Sequence, residues 1–129
     1  MEVYIGGKGQ KKALYTGLKQ ELIVEGSSIS MEEIFTADAV NHFHCFVQRY
    51  QKDFKEEEDI RNFVEKLIEE NPKIVIIGDE IGYGLVPISK EEREYREIYG
   101  RMMCLISQKA GKVTRIICGI CQVIKDERE

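Results

Sequence analysis

Residues 73–87 read Lys-Ile-Val-Ile-Ile-Gly-Asp-Glu-Ile-Gly-Tyr-Gly-Leu-Val-Pro, an apolar run that passes without a break into an acidic, glycine-rich turn. Ile74, Val75, Ile76 and Ile77 suit the pleated, doubly covered environment of a central strand. Gly78, Gly82 and Gly84 let backbone come close to a neighbouring segment or to a ligand. A strand ending in such a turn is where an open α/β sheet keeps its ligand. The junction therefore constrains both the fold and the place of any site.

The chain of 129 residues fits a single domain over residues 1–129, with a modest core. A formal net charge of −4 argues against general attraction to nucleic acid or to anionic lipid, so neither is an expected partner. No run of eighteen apolar residues and no basic leader are present, which predicts neither a membrane span nor a signal peptide. The four cysteines do not resemble a secreted disulfide framework and point to a reducing cytoplasm.

Patterning predicts strands at residues 3–5 and 21–25 with a helix over 11–20 between them. Ser30 and Glu33 form a capping box for a helical region that continues or restarts at Asp38, carrying Val40, Phe43, Val47 and Tyr50 on one face. Residues 52–59 read as a solvated charge run. Ile60, Phe63, Val64, Leu67 and Ile68 recur at helical spacing until Asn71-Pro72 ends the element. Ser89, with Glu92 three residues on, caps a helix over 90–109, and strands follow at 113–118 and 122–125. The alternation predicts an α/β fold, a three-layer sandwich with a mainly parallel sheet.

Residues 6–13, Gly-Gly-Lys-Gly-Gln-Lys-Lys-Ala, sit between a predicted strand and a predicted helix, as a phosphate-binding loop does. Lys11 stands where such a loop carries a compact glycine, and Ala13 has no hydroxyl for magnesium. Three readings stay open: an anion site in which Lys12 is helped by Lys8 and Lys11, an ordinary turn with solvated lysines, and a working triphosphate loop. Arg93 and Arg96, three apart on one helical face, form either a phosphate clamp or pairs with Glu92, Glu94 or Glu97. His42, His44, Cys45, Cys118 and Cys121 are metal-ligating types. On a helix, however, His42 and His44 point about 200° apart, which argues against a shared ion.

The segment Asp79-Glu80-Ile81-Gly82-Tyr83-Gly84-Leu85-Val86-Pro87 resembles the Asn-Glu-Val-Gly-x-Gly-Ile-Val-Pro segment of the adenosylcobinamide kinase/adenosylcobinamide-phosphate guanylyltransferase family. The likeness continues through Arg93, Arg96 and Gly100 and returns at residues 118–125, Cys-Gly-Ile-Cys-Gln-Val-Ile-Lys. The resemblance implies a P-loop NTPase-like sheet, a homo-oligomer, a purine nucleotide (GTP or ATP) with Mg²⁺, and a corrinoid acceptor in cobalamin biosynthesis. It makes Lys12, Glu25 and Glu80 the catalytic candidates, with Glu25 as metal ligand on a strand similar to the family's acidic Walker B strand. It makes Gly6, Gly7, Lys8, Gly9, Lys12, Glu80, Gly82 and Gly84 the nucleotide contacts and matches Arg93 and Arg96, the candidate phosphate contacts, to family arginine positions.

The chain departs from the pattern at polar positions. Asp79 replaces the family asparagine, Met103 and Cys104 replace an Asn-Gln pair, and the insertion that carries the family's guanylylated histidine is missing between residues 12 and 21. Two expectations follow: a cobinamide-processing protein with lost or reduced catalysis, and a non-catalytic binding, regulatory or assembly protein retaining the family fold.

Overall fold

The computed structural model describes residues 1–7, 12–80 and 89–127. Six strands form one sheet: β1 (Glu2–Gly6), β2 (Ile23–Glu25), β3 (Ala39–Asn41), β4 (Val75–Asp79), β5 (Lys112–Ile117) and β6 (Ile120–Asp126), in the order β2-β3-β4-β1-β5-β6. All neighbours run parallel except β5 and β6, which form an antiparallel hairpin. This is the expected α/β, mainly parallel architecture. The hairpin turns at Cys118 and Gly119, whose successive φ values of 50° and 76° match the sense of strand twist.

Three α-helices, α1 (Phe43–Arg49), α2 (Glu57–Glu70) and α3 (Lys90–Lys109), bury their apolar sides with Val3, Val40, Ile76 and Val113. Tyr4, Ala39, Val75, Ile77 and Ile116 point the other way, because alternate residues of a strand face opposite sides. Among the described residues, Ala13, Leu18 and Ile23 pack on that second face. The cap read at Ser89 is in place: Glu92 N–H donates to Ser89 Oγ at 3.0 Å at the start of α3; Glu33 N–H likewise donates to Ser30 Oγ at 3.0 Å, but there it precedes only a 3₁₀ turn whose N-cap is Glu32.

Four local expectations are corrected. The helix expected over 11–20 is not formed in its described part: Lys12–Thr16 is a 3₁₀ turn, ended by Gly17 at φ +74°. Thr16 Oγ1 also donates to its own turn, at the Ala13 carbonyl, and such local bonding competes with helix continuation. The strand expected over 21–25 is shortened to β2 by a 3₁₀ turn at Gln20–Leu22. The helical region expected from Ser30 onward contains a 3₁₀ turn (Glu33–Phe35) and then β3, and α-helix begins only at Phe43. Finally, the charge run hides buried Phe54 and the start of α2, where Glu56 N–H donates to Asp59 Oδ2 at 3.2 Å. No described helix is long and apolar enough to cross a membrane.

Candidate functional site

The parallel register sets Gly6 beside Asp79, and Glu80 N–H donates to the Gly6 carbonyl at 2.8 Å. The two glycine-bearing segments therefore leave the sheet from adjacent strands at the same, C-terminal edge, where open α/β sheets bind ligands. Of the residues expected here, Lys8, Gly9, Gly82 and Gly84, together with Lys11, lie outside the described residues.

Lys12 is neither a solvated turn lysine nor an outstretched cation. Its side chain is 6% exposed, and Nζ donates to Asp79 Oδ1 at 2.6 Å and to the Gly7 carbonyl at 3.0 Å. Asp79 is held from three further directions. Its Oδ2 lies 3.6 Å from His44 Nε2, its N–H donates to His44 Nδ1 at 3.3 Å, and its carbonyl accepts from Tyr99 OH at 2.8 Å. Tyr99 reaches that carbonyl because Gly78 has no side chain; a Cβ there would sit 2.3 Å from the phenol oxygen. Burial, reinforced by Tyr95 and Asp79, drives the Tyr99 phenol well above its ordinary range, so it is a fixed hydrogen-bond donor.

Burial also pushes His44 below the usual imidazole range, against the opposing pull of Asp79; His42 and Lys12 add to the lowering. The native state thus takes up this proton less readily than the unfolded chain. His44 contributes stability that is complete above the ordinary histidine pKa of ~6.5 and is lost as pH falls through its depressed native value. Urea midpoints are expected to fall on acidification below about pH 6.5, and His44→Gln is expected to flatten that fall. An unchanged slope in the variant would remove His44 as its source.

A second polar group adjoins the first. Glu25 Oε2 accepts from His42 Nδ1 at 2.6 Å, while Glu25 Oε1 accepts from Asn41 Nδ2 at 3.2 Å. His42 is not helical: it occupies the left-handed region (φ 51°, ψ 49°) as the residue before α1. This corrects the expectation of opposed histidines, since the rings of His42 and His44 meet edge to face at 5.6 Å. They still do not make a metal centre: among the described residues no three His, Cys, Asp or Glu side chains converge on one point.

Glu25 lies on the outer strand β2, separated from β4 by β3, whereas Asn41 is one strand from Asp79. Glu80 is forked by Arg115, Nε at 2.5 Å and Nη2 at 3.0 Å. Arg96 Nε pairs with Glu92 Oε1 at 3.3 Å, one of the carboxylates that sequence offered it, and Arg93 is exposed on α3. In this arrangement the described residues do not fit a magnesium-bound triphosphate. The lysine is turned onto Asp79, and both oxygens of the candidate metal ligand Glu25 are engaged by neighbours.

Sequence reasoning missed Asp79 as the lysine's partner, along with the roles of Tyr99, His44 and Arg115. An acid ending a buried strand was the available signal for Asp79. Arg115, the one charged residue within the strand expected over 113–118, was the signal for the fork.

The family model described as cobinamide kinase / cobinamide phosphate guanyltransferase matches residues 15–124. The chain belongs to this family. A relative within it, the bifunctional adenosylcobalamin biosynthesis protein CobU of Escherichia coli (strain K12), is 36% identical over 53 residues, 41% of this chain and 29% of the relative. The stretch shared with that relative is therefore under a third of its length. Glu25, His42, His44, Asp79, Glu80, Arg93, Arg96 and Arg115 fall inside the family match, whereas Gly6, Gly7 and Lys12 precede it.

Proposed function

We propose that this chain serves cobalamin biosynthesis as a purine-nucleotide- and corrinoid-site protein whose phosphoryl- and guanylyl-transfer chemistry is lost or strongly reduced. One observation carries the reading: the Lys12 ammonium, the loop's only described cation, is buried and held by Asp79 and the Gly7 carbonyl. Phosphoryl transfer draws its rate from positive charge already aimed at the transferring oxygens. A buried cation that must first leave a partly buried carboxylate is not pre-organised, and each 1.36 kcal/mol spent on rearrangement is about a tenfold loss of rate.

Calorimetry with GTP and ATP, with and without magnesium, followed by turnover with adenosylcobinamide, tests the proposal. The unmodified protein is expected to bind nucleotide weakly and to release no phosphorylated or guanylylated corrinoid. Asp79→Asn, which removes the competing charge, is expected to tighten nucleotide binding about tenfold or more, equivalent to ~1.4 kcal/mol. Lys12→Met is expected to abolish the gain. Efficient turnover by the unmodified chain would overturn the reading. The homo-oligomer and the cytoplasmic setting belong to the same proposal; exposed Ile117, Ile120, Val123 and Ile124 on the β5–β6 hairpin support self-association.

A further inference from the structure

We infer that Asp79 is an internal occupant of an oxyanion seat between Lys12 and His44, and that an external oxyanion takes this seat by exchange coupled to proton uptake on His44. The inference rests on the withheld-lysine reading above and adds what releases the lysine.

The geometry divides one carboxylate between two bases, Oδ1 to Lys12 Nζ at 2.6 Å and Oδ2 toward His44 Nε2 at 3.6 Å. The groups facing His44 are Asp79 from β4, Lys12 from the 3₁₀ turn, His42 from the residue before α1 and Tyr99 from α3. With His44 neutral, Nδ1 accepts the Asp79 amide proton and the cluster of Lys12, Asp79 and His44 carries no net charge. An incoming oxyanion then competes with a carboxylate already at the ammonium and gains little.

Protonation changes both terms. His44 Nδ1 becomes a donor and can no longer accept from the Asp79 amide, while the imidazolium draws the carboxylate toward itself. The cluster then carries one surplus positive charge, and Lys12 can turn to an oxyanion such as sulfate, inorganic phosphate or the terminal phosphate of a nucleotide. Burial lowers the His44 pKa and so favours its neutral form, which makes the closed state the resting one. By linkage, an anion whose binding adds one proton gains up to about tenfold in affinity per pH unit over the coupled range.

Sulfate is the probe, because its charge is constant through the range. Its affinity, measured by calorimetry on the unmodified protein, is expected to rise about tenfold between about pH 7.5 and about pH 5.5. His44→Gln is expected to hold the change within about twofold, and Asp79→Asn to bind tightly at both values. Circular dichroism establishes that each variant is folded. If Asp79→Asn binds sulfate no better than the unmodified chain at about pH 7.5, the withheld-lysine reading fails. If Asp79→Asn gains affinity while the unmodified protein has a flat profile, or His44→Gln keeps the full slope, the exchange coupling alone is overturned.

Discussion

Alanine at Phe46 is expected to remove about 3–5 kcal/mol of stability, the cost of emptying a fully enclosed aromatic site. Phe46 is 0% exposed, and its ring meets Phe43 at 5.6 Å, Tyr50 at 4.9 Å and Phe63 at 5.8 Å. No neighbour is placed to collapse into the void, because Phe43 belongs to the same short helix and Phe63 is already packed edge-on by Phe35 and Phe54. The helix itself has seven residues, too few to stand without tertiary contacts. Loss of Phe46 therefore also loosens His42 and His44 at its start. Urea denaturation with an unchanged m-value is the measurement, and a loss below about 1 kcal/mol would mean that the aromatic cluster does not hold α1 in place. A domain of this size has a total margin of about 5–15 kcal/mol, so the variant is expected to be partly unfolded at moderate temperature.

The second large effect is expected at Gly78. An alanine Cβ there would lie 2.3 Å from Tyr99 Oη and 3.8 Å from Phe43 Cβ. Tyr99 cannot easily withdraw, since it is 2% exposed and its hydroxyl donates to the Asp79 carbonyl at 2.8 Å. Overpacking costs about 1–3 kcal/mol. Loss of the hydrogen bond leaves a partly buried acceptor with one partner fewer, at a further cost of ~1 kcal/mol. Tyr99→Phe removes the oxygen that the new methyl meets, so the double variant is expected to regain part of the loss, giving a favourable coupling of about 1 kcal/mol or more in a double-mutant cycle. Strict additivity would show that the strain lies elsewhere on β4. Gly78→Ala is also expected to displace Asp79 and thus to alter oxyanion binding, separating the stability and site effects of one methyl group.

The parts of this fold that were legible in sequence are those whose signal is local. Ile74, Val75, Ile76 and Ile77 announce a buried strand, Ile60 to Leu67 an amphipathic helix, and Ser89 with Glu92 a helix start; each is realised in the structure. β3 was hidden because Val40, Phe43, Val47 and Tyr50 follow helical spacing even though Val40 is in a strand; strand and helix happen to bury the same side. The helix expected over 11–20 failed because Gly17 adopts a left-handed conformation that no α-helix continues through. At the site, sequence named Lys12, Glu25 and Glu80. Their partners Asp79, His42 and Arg115 are 67, 17 and 35 residues away and become visible only when the sheet order is known. The family, in contrast, was readable from the acidic glycine segment, because that motif is contiguous.

The outer border of β6 bears on how this protein behaves in a tube. Its seven residues are almost wholly solvent-facing, with Ile120 70% exposed, and residues 120–124 include no charged side chain and no proline to discourage strand addition by a neighbouring molecule. Lys125, the only lysine of β6, is drawn inward onto the Ser107 and Gln108 carbonyls at the end of α3. Side-by-side sheet growth is therefore the expected route of association at high concentration, and Val123→Lys is expected to oppose it, as light scattering would check.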